Sequence, residues 1–168
     1  MKISKLVTVL FLMITFLFVP TDNVVTYKER IGYLESRGDY CATNGTHFGK
    51  YQFSMITVKG LIKNGLLEEP DECLTVDYFL NNPAYQEKTM NASVYHCHQL
   101  LTQMGLYRFV GKKVRGIRIT RVRLFGALHG FGPYATRDFL KTGSLKPAGK
   151  AVKVDRFGHS IIDRMKLL

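Results

Sequence analysis

Acidic side chains are scarce in this chain: 13 Asp and Glu stand against 24 Lys and Arg, a formal net charge of +11 over 168 residues. The shortage is local. From Gly105 to Leu168 there are 3 acidic and 15 basic residues, while the remainder holds 10 and 9. A basic half points to a polyanionic neighbour: nucleic acid, an anionic membrane face or an anionic wall polymer. The plainer reading is a solvated surface that maintains solubility. Cysteine is also scarce. Three residues, Cys41, Cys73 and Cys97, are too few and odd in number for a disulfide framework. One bridge with a free thiol, or three buried thiols, both fit. Internal repeats, linkers and low-complexity stretches are lacking, so the length argues for one domain.

Long apolar runs are lacking too, with one exception. Lys2 and Lys5 precede an uncharged run from Leu6 to Val19, closed by Pro20, Thr21 and Asp22. A basic n-region before a short apolar stretch has the form of a secretory signal, and the run is short for a membrane span. No A-x-A cleavage sequence precedes Asp22, so an uncleaved anchor stays open. Residues 1–22 therefore read as a leader or anchor of an exported protein, and residues 25–168 as the folded domain. Export weakens a nucleic-acid explanation of the charge.

What is present is mostly helical pattern, with at most a small β-hairpin. "YKERIGYLESRGDY" reads as a helix with Ile31 and Leu34 three apart, ended by Gly38, and Glu35 in its last turn. "CATNGTHFGKYQFS" reads as a loop or short hairpin with Asn44-Gly45 as turn signal. Ser54 is a candidate N-cap for the segment that follows. A longer helix starts after Pro83; Met90, Val94, Cys97, Leu101 and Met104 form one apolar stripe, and Gly105 ends it. "VGKKVRGIRITRVRL" mixes a short extended piece with a helix starting near Thr120. That helix runs into "HGFGPY" and a further helix, "YATRDFLKTG". "DRFGHSIIDRMKLL" reads as a final amphipathic helix behind a glycine turn. His96-Cys97-His98 invites a metal reading, but neighbouring helical positions point apart and cannot clasp one ion; no metal or cofactor is expected. Asn44-Gly45-Thr46 and Asn91-Ala92-Ser93 fit glycosylation sequons.

Glu35 is the strongest candidate for chemistry. Glycoside cleavage needs a carboxylic acid that donates its proton to the leaving oxygen, and apolar neighbours such as Ile31 and Leu34 provide the surroundings in which a carboxyl keeps one.

"ESRGDY…GTHFGKYQFS" resembles the first two motifs of the lysozyme-like lytic transglycosylase superfamily, a Glu-Ser on a helix followed by a Gly-x-x-Gln turn. The likeness is closer to small exported Bacteroidetes-type proteins with a "GKYQFG"-type second motif. "LFGALHGFGPYATRDFLKTG" resembles their third motif, typically "AAHLGGAGGVKKFL", and "DRFGHSIIDRMKLL" their closing "D-x-x-G-T-S-x-x-x-Y". The resemblance spans residues 28–168 and implies a mainly α, lysozyme-like domain. It implies Glu35 as general acid on the bond between N-acetylmuramic acid and N-acetylglucosamine. It further implies that Ser36 orients the carboxyl or caps the helix, that Gly49 lets sugar approach the backbone, and that Tyr51 and Phe53 offer ring faces. Gln52 would bind an N-acetyl group; His129, Gly130 and Tyr134 would line the same cleft.

Departures accompany the likeness. Gly130-Phe131-Gly132 replaces a Gly-Gly pair, so Phe131 is expected to narrow the cleft or alter the loop. Ala127-Leu128 stands for "AA", and Gly158-His159-Ser160 for "G-T-S". A second carboxylate, needed by an ordinary hydrolase, has only Asp39 and Asp138 as candidates. Lytic transglycosylases manage with one glutamate, so the sequence leans to that route. The expected partners are peptidoglycan strands and anionic wall polymers, without a specific nucleic acid, with membrane contact only through the N-terminal segment, for a monomer. The competing expectation is a weak or inactive wall-binding protein on the same fold.

Overall fold

The computed structural model describes the backbone of residues 21–144 and 159–168, with side chains described from residue 27. The leader run, Gly158 and the start of the closing segment lie outside these residues. Within them the chain is mainly helical with one two-stranded sheet, and no helix is long and apolar enough to cross a membrane.

Helix α1 (Thr21–Ser36) starts earlier than expected, across the 22–25 boundary read from the sequence. Its buried positions Tyr27, Ile31 and Glu35 lie four apart, one stripe along the helix. Arg37 (φ 61°) and Gly38 (φ 86°) turn the chain out of it. The next segment is not a regular hairpin but two isolated antiparallel bridges, Thr43 to Phe48 and Phe48 to Phe53.

Ser54 does cap α2 (Met55–Lys63), accepting from the Thr57 amide. The helix closes on Gly65, with Leu66 N donating to Leu61 O and Gly65 N to Ile62 O, the paired bonds of a Schellman stop. Helix α3 (Val76–Leu80) is capped by Thr75, and α4 (Pro83–Gln103) by Asn82 with Pro83 in its first turn. Of the expected α4 stripe, Met90, Cys97 and Leu101 are buried, while Val94 and Met104 lie at its edges.

A 3-10 turn (Leu106–Phe109) leads to β1 (Lys113–Val114) and β2 (Ile117–Arg118), paired antiparallel. Helix α5 (Arg121–Thr142) starts from the Thr120 cap, as the sequence predicts. It is two helices joined across Gly132 (φ 78°, ψ 174°) and Pro133. Only a residue without Cβ takes that backbone comfortably, and Pro133 cannot bond back into the preceding turn. Helix α6 (Ile161–Leu167) starts at a reciprocal capping box between Ser160 and Asp163.

Two apolar clusters hold these elements together. One gathers Tyr27, Ile31, Tyr51, Val58, Phe79 and Met90 from α1, the bridged loop, α2, α3 and early α4. The other gathers Leu101, Leu106, Ile119, Leu124, Phe139 and Met165 from late α4, the hairpin, α5 and α6. Phe125 packs against both. Cys41, Cys73 and Cys97 are all unbridged, and only Cys97 is buried. Three buried thiols and a bridge are therefore both corrected: Cys41 and Cys73 sit on exposed loops.

Candidate functional site

Glu35 occupies a core position of α1, its side chain only 6% exposed. A carboxylate taken out of water needs strong partners. The partner comes from the other cluster: Arg164 Nη2 donates to Glu35 Oε1, and the Arg164 side chain is 2% exposed. Arg164 also lies on an apolar stripe, with Ile161 and Met165 buried beside it. Two core faces, each carrying one charge, thus meet at an ion pair. The expected apolar surroundings of Glu35 are present, but a guanidinium sits against the carboxylate itself. Arg164 was missed in the sequence. It stands where the D-x-x-G-T-S-x-x-x-Y pattern that the segment resembles ends in Tyr, and that departure was the available signal.

His129 on α5 approaches the same oxygen, with Nε2 4.0 Å from Glu35 Oε1. Its nearer contact is Tyr51 O at 3.2 Å; a carbonyl only accepts, so Nε2 carries the proton in that bond. The imidazole also meets the Phe53 ring edge-on at 5.4 Å. Gly130 lies one residue on, where an added Cβ would come 3.6 Å from Arg164 Nε; Gly130 flanks Arg164.

The second motif is a tight turn. Phe48 and Phe53 exchange both backbone bonds, and Gln52 adopts φ 50°. Gln52 Nε2 donates to Gly49 O at 2.8 Å and Ala42 O at 3.0 Å, which commits its amide donors to the loop rather than to an N-acetyl group. Gly49 (φ 76°) has the Gln86 amide where a Cβ would stand, so its close approach is to Gln86, not to a sugar. Gln86, also missed, is 1% exposed; it accepts from Lys50 N and donates to Tyr40 O and Phe79 O.

Ring faces at Tyr51 and Phe53 are corrected as well. They are 0% and 3% exposed, because the turn drives both into the core. Ser36 Oγ lies 2.8 Å from Lys50 O and 3.3 Å from Gly32 O. It ties the end of α1 to the turn and does not orient the Glu35 carboxyl. Tyr134 is 69% exposed with the Arg137 guanidinium over its ring, facing solvent. Phe131 is buried in the second cluster; it fills core and narrows nothing. Neither second-acid candidate fits that role: Asp39 Oδ1 accepts from Cys41 N within its own turn, and Asp138 pairs with Arg137.

Beside the second motif lies a charge network absent from the sequence reading. Glu87 on α4 accepts from Tyr51 and Tyr40 at 2.7 and 2.8 Å and pairs with Lys28 and Lys50 at 2.8 and 3.2 Å. Burial pushes its carboxyl up, but the donors Lys28, Tyr51, Tyr40 and Lys50 together outweigh burial and hold it at about 2. Lys50 bridges onward to Glu29 at 2.9 Å. Its stem crosses α1 over Gly32, where a Cβ would lie 2.7 Å from Lys50 Cε. Burial lifts the Tyr27 phenol well above its usual range, with the fields of Cys97 and Glu35 adding and Arg164 opposing.

Four segments widely separated in sequence therefore converge: Glu35-Ser36, the turn around Tyr51, His129-Gly130 and Arg164. Among the described residues no cluster of His, Cys, Asp and Glu is placed to hold a metal ion. Comparison with protein-family models, curated proteins and solved structures finds no match to this chain.

Proposed function

We propose that this is an exported peptidoglycan-cleaving protein of lysozyme-like design, with Glu35 as its general acid. The observation that carries the reading is the convergence around one buried carboxylate. Ser36 Oγ bonds to Lys50 O, His129 to Tyr51 O, and Arg164 to Glu35, so the four motif segments of the resemblance are tied together around α1, with Arg164 and His129 reaching the Glu35 carboxylate. In the lytic route the acid protonates the glycosidic oxygen as the bond to the muramyl anomeric carbon breaks. The substrate's own N-acetyl group stabilises the cation. The sugar 6-hydroxyl then closes an anhydro ring and returns a proton to the carboxylate. One carboxyl serves both steps, consistent with Asp39 and Asp138 being engaged elsewhere. For substrate to reach Glu35, Arg164 must withdraw from Oε1, because the side chain is 6% exposed while the pair stands.

The same ion pair favours a second reading: a wall-binding protein in which Arg164 has turned a catalytic acid into a structural charge. A fold by itself does not establish activity. The two readings separate on purified sacculi. Under the first, the full-length chain releases soluble fragments and Glu35→Gln does not, while both sediment with the wall. Binding without release by the wild-type chain establishes the second, and equal release by Glu35→Gln removes Glu35 from the chemistry.

A further inference from the structure

The largest charge left unexplained by the site surrounds the hairpin. No Asp or Glu occurs from Lys88 to Arg137, 50 consecutive residues. Within that stretch Arg108, Lys112, Lys113, Arg115, Arg118 and Arg121 are all exposed. None of the ion pairs among the described residues involves them.

The fold concentrates these cations when it had the means to separate them. The β1–β2 register sets Lys113 directly opposite Arg118, and like charges in that position repel. Arg108 and Lys112 share one aromatic partner, 5.2 and 5.8 Å from the centre of the Phe109 ring. Arg121 lies 5.8 Å from that of Tyr107. At the hairpin tip Arg115 and Gly116 have φ of 51° and 79°. Such two-residue turns favour Asn, Asp or Gly at the first position, and an arginine there is conformationally costly. Arg115 is held by donating from Nε to Gly143 O at 2.9 Å. A hairpin selected for stability alone would carry Asn at its tip and an acid opposite Lys113. The repulsion between like charges kept together on this exposed surface is relieved when a polyanion covers it.

We infer that the hairpin and its flanks, Arg108 to Arg121, dock the carboxylate-bearing peptide stems of peptidoglycan. The cationic surface stands on its own geometry; the choice of partner rests on the function proposed above. Arginine forks grip carboxylates through paired N–H···O bonds. Nucleic acid fits less well, because Tyr107 and Phe109 are partly buried beneath cations and leave no free stacking platform. A membrane surface fits less well, because Val110, 39% exposed, is the one exposed large apolar side chain from Arg108 to Arg121.

The test uses the full-length chain and its triple variant Lys113→Gln, Arg118→Gln, Arg121→Gln. Cosedimentation is measured with purified sacculi, sacculi whose carboxylates have been amidated, duplex DNA and anionic phospholipid vesicles, at about 50 and about 300 mM salt. The inference expects the variant to bind untreated sacculi roughly tenfold more weakly. Amidated sacculi should show a similar loss with the wild-type chain, and the higher salt should reduce the difference. The variant should melt no lower than wild type, since repulsion has been removed. Equal binding by the variant, indifference to amidation, or tighter binding to DNA or vesicles than to sacculi overturns it. Patch-dependent binding by a wild-type chain that releases no fragments would sink the catalytic reading and leave this surface standing.

Discussion

Replacing Arg164 with methionine is the most informative perturbation of the fold. Methionine keeps an unbranched side chain in the space between Ile161 and Met165, but leaves Glu35 without the guanidinium that now touches it. The two side chains are 2% and 6% exposed, so solvent offers little compensation. Breaking such a buried pair from one side costs about 3–5 kcal/mol, mostly because the remaining charge stays buried. For a chain of this size each kcal/mol moves the midpoint by about 2–4 °C, giving a fall of roughly 6–20 °C. Adding Glu35→Leu should restore much of the loss, because an apolar pair of similar volume needs no solvation. Urea unfolding of wild type, both single variants and the double variant, followed by circular dichroism, closes the cycle. A loss below about 1 kcal/mol for Arg164→Met, or a double variant as unstable as the sum of the singles, would refute the claim that this pair joins the two clusters.

Other outcomes follow from the same geometry. Gly49→Ala should destabilise by about 1–3 kcal/mol in urea unfolding, since its Cβ meets the Gln86 amide and φ is 76°; a neutral result would mean the turn can shift freely. Glu87 titrates at about 2 in the folded chain against an ordinary 4.5. A depressed carboxyl binds fewer protons folded than unfolded, so its contribution is present above about 4.5 and lost as pH falls towards 2. Glu87→Gln should flatten that part of the stability-against-pH curve, and an unchanged slope would contradict the network. Native thiol titration should find Cys41 and Cys73 reacting quickly. Cys97, pushed up to about 12 by burial, should react only after denaturation, and three fast thiols would contradict its burial.

Much of the fold was legible because helix ends are written locally. Ser54, Thr120 and Pro83 mark starts, Gly38 and Gly105 mark stops, and the glycines of HGFGPY mark a break, through caps and backbone freedom that need no distant partner. The helix read through Ile31 and Leu34 held with Glu35 in its last turn, while the i, i+4 stripe that buries Glu35 with Tyr27 and Ile31 was not read. The turn was harder. A tight turn has no periodicity to say which side chain faces inward, so Tyr51 and Phe53 were read as ring faces for sugar when both are core. Gly49 was read as room for a ligand when the room belongs to Gln86, 37 positions later in the chain. Arg164 was the least legible. It pairs with a residue 129 positions away, and within its own helix it reads as one more basic residue in a basic tail. Long-range pairing of that kind is fixed by how the layers meet, which local pattern does not encode.

The most direct measurement is the mass spectrum of fragments released from sacculi by the full-length chain, with Glu35→Gln alongside. Muramyl ends lighter by one water, the mark of ring closure by the sugar's own hydroxyl, are expected, with no fragments from the variant. Hydrolysed reducing ends would require a second carboxylate that neither Asp39 nor Asp138 supplies, and fragments from Glu35→Gln would contradict the assignment of Glu35 itself.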